Sequence, residues 1–416
     1  MGFDTTALFR GDLPAPAGAP FRAFPKYNFV GGHNDGPSIP VQALTEAATK
    51  VLGAEGQTLA TYGLQSGPQG YLPLRQFIVD QMARCGGMQD GTDNVLITSG
   101  SLQALDLVNA LLLDTGDQVI AEAATYGGAL SRLARLGIPY RGVNWTADGI
   151  DLSHLQELLE QMQAEGRPAK MIYTIPTVQN PTGGVMTEAN RHALLQLADR
   201  YNCLIFEDDC YADLLWEGAR PPTIRALDQA RGHGGDSRVI YCGSFSKSIA
   251  PALRIGYVMA DWPVIAQLLP LKTDAGTGAL EQMVLAEFCA AHFDSHVQNL
   301  RQTLKRKCEV MMETLAEQFG TAASFETPKG GIFLWITLPE TVDTSRLATA
   351  TAAEGVTLNP GAEWTVDGAA HRHRMRLCFG HPDVDTIREG VTKLAAICHR
   401  EFGTPERGAN TARDTT

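Results

Sequence analysis

The sequence predicts an α/β fold: a large domain with a mainly parallel sheet covered on both faces by helices, plus a smaller α+β domain. Three observations carry this. Short β-rich runs alternate with segments of helical periodicity over much of the chain. Each run ends in a polar or glycine-containing turn, and strands that alternate with helices in this way pair in parallel. A long helical stretch then leads into a second, shorter set of strand and helix signals.

In chain order, residues 1–40 are rich in Pro and Gly and hold no sustained period, which predicts an extended arm. Residues 41–295 form the expected large domain, opening on the helical "PVQALTEAATKVL". Its strands are "NVLITSG", "QVIAEA", "KMIYTIP", "CLIFEDD" and "RVIYCGS", separated by helices such as "SLQALDLVNALLL" and "EANRHALLQLADRYN". The stretch "HVQNLRQTLKRKCEVMMETLAEQF" connects to the expected small domain, 296–403. That domain offers "KGGIFLWITL", a helix near "DTSRLATATAAEG", the strand "MRLCFG" and a last helix, "DVDTIREGVTKLAAICHREF". The polar tail 404–416 is expected to be disordered.

Composition narrows the function classes. Of 416 residues, 44% are hydrophobic and 19% charged, ordinary values for a soluble globular protein. A net charge of -12 and the lack of a basic run argue against nucleic acid as a partner, leaving small molecules. No apolar run approaches the ~20 residues that span a bilayer. The N-terminus lacks a charged start followed by an apolar core, so no membrane partner and a cytoplasmic location are expected. Eight cysteines without a C-x-x-C pair indicate neither zinc nor a disulfide framework, and those in apolar runs read as core thiols. "HRHR" (371–374) reads as a solvated loop, and no metal is expected.

Ligand sites of open α/β sheets collect at the carboxyl ends of strands. Five such turns carry chemistry. "TSGSLQALD" opens a helix at Gly100 and Ser101, whose free amides suit a phosphate. "AEAATYGG" sets Tyr126 beside two glycines that allow close approach by a flat ligand. "YTIPTVQNPTGG" holds Asn180 in an Asn-Pro turn. "LIFEDDCYADL" clusters Glu207, Asp208 and Asp209 ahead of Tyr211, with no cation nearby in sequence, so one carboxylate is expected to face a positive partner. "SFSKSIAPALRIGY" carries Ser244, Ser246, Lys247 and Arg254. If buried near the cationic Arg254, Lys247 would have a lowered pKa and serve as a nucleophile; the other reading is a surface lysine on a loop. A phosphate cradle, a stacking ring, a carboxylate, a phenol and a lysine are together what pyridoxal 5'-phosphate requires.

On "SFSKSIAPALRIGY", "QNPTGG" and "EDDCY" the chain resembles the class I/II aminotransferases, which are fold type I pyridoxal-phosphate enzymes. Within them it is similar to the kynurenine/2-aminoadipate aminotransferase subgroup, from about residue 28 to about 400. The resemblance implies a seven-stranded type of sheet and a homodimer with shared active sites. It implies that Lys247 forms the Schiff base with pyridoxal phosphate and shuttles the proton. By the same likeness Asp208 pairs with the ring nitrogen, and Tyr211 and Asn180 bond the ring oxygen. Tyr126 would stack on the ring; Ser101, the Leu102 amide, Ser244, Ser246 and Arg254 would hold the phosphate, with Tyr62 reaching in from the neighbouring subunit. Arg376 in "RMRLCFG" would grip the substrate α-carboxylate.

The implied reaction is transfer of the amino group of an L-amino acid to a 2-oxo acid, with 2-oxoglutarate expected. The alternative is an elimination, replacement or ring-forming reaction on an amino acid such as S-adenosylmethionine, because one stretch departs from the subgroup. Where a Gly-Gly-x-Pro signature is common, the arm reads "NFVGGHNDGPSIP". Gly32, His33 and Asp35 are therefore candidate substrate contacts, and an exposed Asn-Asp-Gly turn is the other reading. A regulator with a sensor domain of this kind would need an added DNA-binding domain, for which the arm is short.

Overall fold

The computed structural model describes residues 3–11, 13, 16, 20–232 and 236–405. Its central sheet holds β1 (Val95–Thr98), β2 (Gln118–Glu122), β3 (Tyr140–Val143), β4 (Ala169–Thr174), β5 (Leu204–Asp208), β6 (Val239–Ser244) and β7 (Gly256–Met259). The spatial order is β1-β7-β6-β5-β4-β2-β3. β7 runs antiparallel to both neighbours, and the remaining pairs are parallel. The apolar runs of the sequence are β1, β2, β4, β5 and β6, and they are buried almost throughout because helices cover both faces. Two strands escape the sequence reading. β3 is a half-buried edge strand, "YRGV", with little apolar signal. β7, "GYVM", follows the lysine turn so closely that Pro and Gly obscure it.

The covering helices are α1 (Val41–Glu55), α2 (Leu72–Gly86), α3 (Ser101–Leu112), α4 (Gly127–Arg135), α5 (Leu152–Ala164), α6 (Glu188–Arg200), α7 (Ile224–Ala230) and α8 (Trp262–Leu271). Their starts follow local chemistry. The Asp151 carboxylate accepts from the amides of Ser153 and His154 at the start of α5, and the Thr187 hydroxyl accepts from Asn190 at the start of α6. Helix α9 (Ala279–Phe319) runs 41 residues without a break, about 60 Å at 1.5 Å per residue. The expected domain boundary at 295/296 falls inside it.

Beyond α9 come β8 (Phe333–Thr337), α10 (Thr344–Ala352), β9 (Asn359–Pro360), β10 (Arg374–Cys378) and α11 (Val384–Phe402). The three strands form an antiparallel sheet in the order β8-β10-β9. Leu300, Leu304 and Met311 of α9 and Val391, Leu394 and Cys398 of α11 are buried in one core cluster. The arm is tied to this part of the molecule, since Tyr27–Asn28 pairs in parallel with Val356–Thr357. Residues 406–416 of the expected tail lie outside the described residues. Thr404 is buried rather than loose. The "HRHR" stretch is only partly a solvated loop: Arg372 is exposed, its three companions are half-buried, and Arg374 opens β10. All eight cysteines are free, and all but Cys85 are buried. No described helix is long and apolar enough to cross a membrane.

Candidate active site

The turns after β1, β2, β4, β5 and β6 converge on one cavity of about 370 Å³, closed by the arm and the small sheet. Ser101, Leu102, Tyr126, Asn180, Asp208, Tyr211, Ser244, Ser246, Lys247 and Arg254 line it from the large domain, and Arg376 from β10. Of the arm candidates only Gly32 lines it.

At the carboxyl end of β5 stand three carboxylates with different fates, of which Asp208 alone lines the cavity. Glu207 lies 3.6 Å from the Arg191 guanidinium and accepts from the amides of Ile224 and Arg225. Asp209 accepts from Arg220 at 2.8 Å. Asp208, between them, has no cation among the described residues; the Tyr173 hydroxyl donates to it at 2.6 Å, and Cys210 bonds to it as well. Burial pushes the Asp208 pKa up, and a cation placed against it would be strongly held. The expectation that one carboxylate awaits a positive partner thus singles out Asp208.

Lys247 is the reverse case. Its Nζ donates to the Gly32 carbonyl at 2.6 Å and meets no carboxylate among the described residues. Burial, with smaller contributions from Arg376 and Arg254, brings the amine down to about 8. A Cβ on residue 32 would stand 2.6 Å from Nζ, so glycine is what lets the arm cross so close to the lysine. Asn34 fastens that crossing, donating to the carbonyls of Lys247 and Ile249 at 3.3 and 3.2 Å.

One wall suits an anion. Helix α3 presents the amides of Ser101 and Leu102 directly after Gly100, whose φ of +83° turns the strand into the helix. Gly100 does not line the cavity itself; a Cβ there would collide with the Arg254 guanidinium, so glycine makes room for that cation. Arg254 is held by the carbonyls of Pro251 and Ser99, at 3.1 and 3.2 Å, with no carboxylate partner among the described residues. Ser244 and Ser246 face the same space.

The opposite wall holds Arg376, whose guanidinium carbon lies 3.8 Å from the Phe333 ring centre and 3.4 Å from that of Trp364. It donates to Asn180 Oδ1 at 3.1 Å and to Asn359 Oδ1 at 2.7 Å, while its Nε has no partner. Burial lowers its pKa to about 10, and no described carboxylate pairs with it. Such a fork can receive a carboxylate in two parallel bonds.

Other placements correct the sequence reading. The glycines after Tyr126 do not open space for a ligand: Gly127 abuts the Glu363 carbonyl and Gly128 abuts the Tyr126 ring itself. Asp35 turns away from the cavity, because a buried carboxylate needs a cation and finds Lys307 at 2.5 Å. His33 also lies outside it, packed edge-on against the rings of Phe24 and His381. Tyr62 is 90% exposed and does not reach the cavity of its own chain.

Several contributors carry no sequence signal. Tyr173 is one apolar-run residue among others until the fold sets it against Asp208. Glu122, at the end of β2, accepts from Thr125, Thr174, the Ile175 amide and Gln179, and burial raises it to about 7. It fixes the segment that delivers Asn180. Phe333, Asn359 and Trp364 come from the small domain, where only Arg376 stands out in sequence.

Residues 26–394 match the family model for aminotransferase class I and II. The chain belongs to that family. The aromatic-amino-acid aminotransferase 1 of Thermococcus litoralis is 32% identical over 90% of this chain and 88% of its own. The kynurenine aminotransferase of Pyrococcus horikoshii, solved in complex with PMP, superposes with a TM-score of 0.83 at 31% identity, covering 90% of this chain and 91% of that one. The α-aminoadipate aminotransferase of Thermus thermophilus, complexed with a phosphopyridoxyl-leucine, gives 0.80 at 32%, over 89% and 91%. The fold is therefore fold type I, the cofactor pyridoxal phosphate and the activity that of an aminotransferase. The elimination or ring-forming alternative is not favoured by these relatives. The cavity fits such a cofactor: an anion wall, a ring-sized space beside Tyr126, an unpaired Asp208 and an unpaired Lys247.

Proposed function

We propose that this aminotransferase moves the amino group of an L-amino acid with an aromatic or large apolar side chain to 2-oxoglutarate. The observation that carries the residue roles is that Asp208 and Arg376, buried, and Lys247, half-buried, surround one cavity, each without a partner of opposite charge among the described residues. Bound pyridoxal phosphate supplies an aldehyde for amines and a ring that accepts the electron pair released at the substrate Cα. Asp208 holds the ring nitrogen, with Tyr173 fixing the carboxylate. The α3 amides, Ser244, Ser246 and Arg254 hold the phosphate. Tyr211 and Asn180 orient the ring, and Tyr126 lies against it. Arg376 would take the substrate α-carboxylate and orient Cα, and the Lys247 amine would move the proton at that carbon. Tyr126, Ile175, Phe333 and Trp364 make the side-chain space apolar, and the aromatic-amino-acid and kynurenine relatives support that choice.

Two further readings belong here. Five of the fifteen exposed large apolar side chains among the described residues, Val41, Leu52, Leu59, Tyr62 and Leu72, fall within residues 41–72, which supports a homodimer that buries this segment and carries Tyr62 to the partner's site. Eight free thiols are what a reducing compartment such as the cytoplasm maintains.

Borohydride treatment of the holoenzyme fixes the cofactor to one peptide, expected to contain Lys247 and to go unlabelled in Lys247→Ala. Single-turnover assays over an amino-acid panel are expected to rank aromatic donors first. In Arg376→Ala, kcat/KM is expected to fall roughly tenfold to several hundredfold, the range for a charged hydrogen-bonded pair. Labelling that survives Lys247→Ala, or an unchanged kcat/KM in Arg376→Ala, would contradict the assignment.

A further inference from the structure

A second cavity, of about 690 Å³, lies between the large and small domains and shares no lining residue with the first. Its volume is that of a small-molecule site. Trp145 and Val185 from the large domain and Phe325 from the small domain make its apolar walls. Its polar side is built on the small sheet. Thr337 pairs with Arg374 and Trp335 with Arg376 across β8 and β10. Cross-strand partners, and residues two apart, project from the same face of a sheet. Trp335 and Arg374 therefore stand on the face that also carries Arg376, one pleat along.

Three residues of the lining each hold a buried polar atom without a hydrogen-bond partner: Trp335 Nε1, Arg374 Nε and His371 Nδ1. Trp335 is 8% exposed. The Arg374 guanidinium, unlike most arginines of the molecule, has neither an ion pair nor a hydrogen bond from its side chain. Native folds rarely leave such a group unsatisfied, and three of the thirteen such atoms among the described residues belong to this one lining. An indole N–H and a guanidinium only donate, so what completes them must accept. Lys329, exposed, adds a second cation; Glu326, also exposed, is the one carboxylate in the lining.

We propose that this cavity is a second ligand site, taking a planar aromatic carboxylate whose oxygens meet Arg374 and the Trp335 N–H and whose ring lies against the Trp145 and Phe325 walls. Its occupant touches both domains. Nothing in it depends on the cofactor chemistry of the first cavity.

The test is calorimetric titration of the holoenzyme with indole-3-acetate, run in an Arg376→Ala background so that the first cavity does not take the carboxylate. One binding event per chain is expected. Arg374→Gln is expected to weaken it by about tenfold or more, the effect of losing a charged hydrogen bond. Trp335→Phe, which keeps a ring but loses the N–H, should weaken it severalfold, and melting curves will show that it folds. Inorganic phosphate should not displace the probe. Three results would overturn the proposal: no binding at millimolar probe, which leaves water as the occupant; binding that neither Arg374→Gln nor Trp335→Phe alters; or full displacement by phosphate, which would make the cavity a mere anion trap. Should Arg374→Gln fail to fold, Trp335→Phe and Lys329→Ala decide the matter.

Discussion

Lys247 shows how far one side chain's surroundings set its chemistry. Burial brings the amine from the ordinary 10.5 to about 8, so the folded chain favours the neutral form. For a base with a lowered pKa, the stabilising contribution is present above 10.5 and is lost as the pH falls through about 8. Cofactor-free Lys247→Met is therefore expected to melt above the cofactor-free parent at pH 7, by the equivalent of roughly 1–3 kcal/mol. The gain should vanish in alkaline buffer. The same shift governs capture of the cofactor: its rate in cofactor-free protein should rise about tenfold per pH unit below 8 and level off above it. Melting curves and stopped-flow absorbance across that range check both, and a rate still climbing steeply above pH 10 would show an unperturbed lysine.

Among the elements, the arm departs most from its sequence reading. Burial works to raise the pKa of Asp35, but bonds from Lys307 and Ser38 outweigh it and hold the carboxylate below its ordinary value. Asp35 thus fastens the arm to α9 and does not line the cavity. Asp35→Ala leaves the buried Lys307 uncompensated, and thermal unfolding should show a loss of about 3–5 kcal/mol. Asp35→Leu with Lys307→Met should recover most of it, and an unaltered melting point in Asp35→Ala would refute the pairing. The five strand-end turns were legible because each combines a strand with reactive or glycine residues, and the fold places such turns together. The arm was not legible in that way. Whether "GGHND" faces a substrate or a lysine 272 positions away depends on tertiary contacts that no local pattern encodes. Tyr173 and Glu122 were hidden for a related reason: in a strand buried on both faces, a polar residue gains meaning only from its neighbour across the sheet.

At the scale of the molecule, the three-layer α/β plan and the smaller second domain were readable from periodicity alone. The unbroken course of α9 was not, because its first half has the apolar pattern of a large-domain helix and its second half that of a small-domain one. The exposed Tyr62 leads to a prediction about the assembly. If Tyr62 serves the partner's site, mixing Lys247→Ala chains with Tyr62→Ala chains should restore activity, since one of the two sites in each hybrid then has both residues intact. Activity measured after co-expression tests this, and hybrids no better than either parent would place Tyr62 in its own chain's business only. The arm also bears on how the chain is made. Asn28 meets Thr357 and Gly31 meets Arg376, partners 329 and 345 residues downstream. At ribosomal rates of about 5–20 residues per second, the nascent arm waits roughly 20–70 s before those partners exist. The arm therefore settles only after the segment carrying Thr357 and Arg376 has been made, and the cavity cannot close over Lys247 before then.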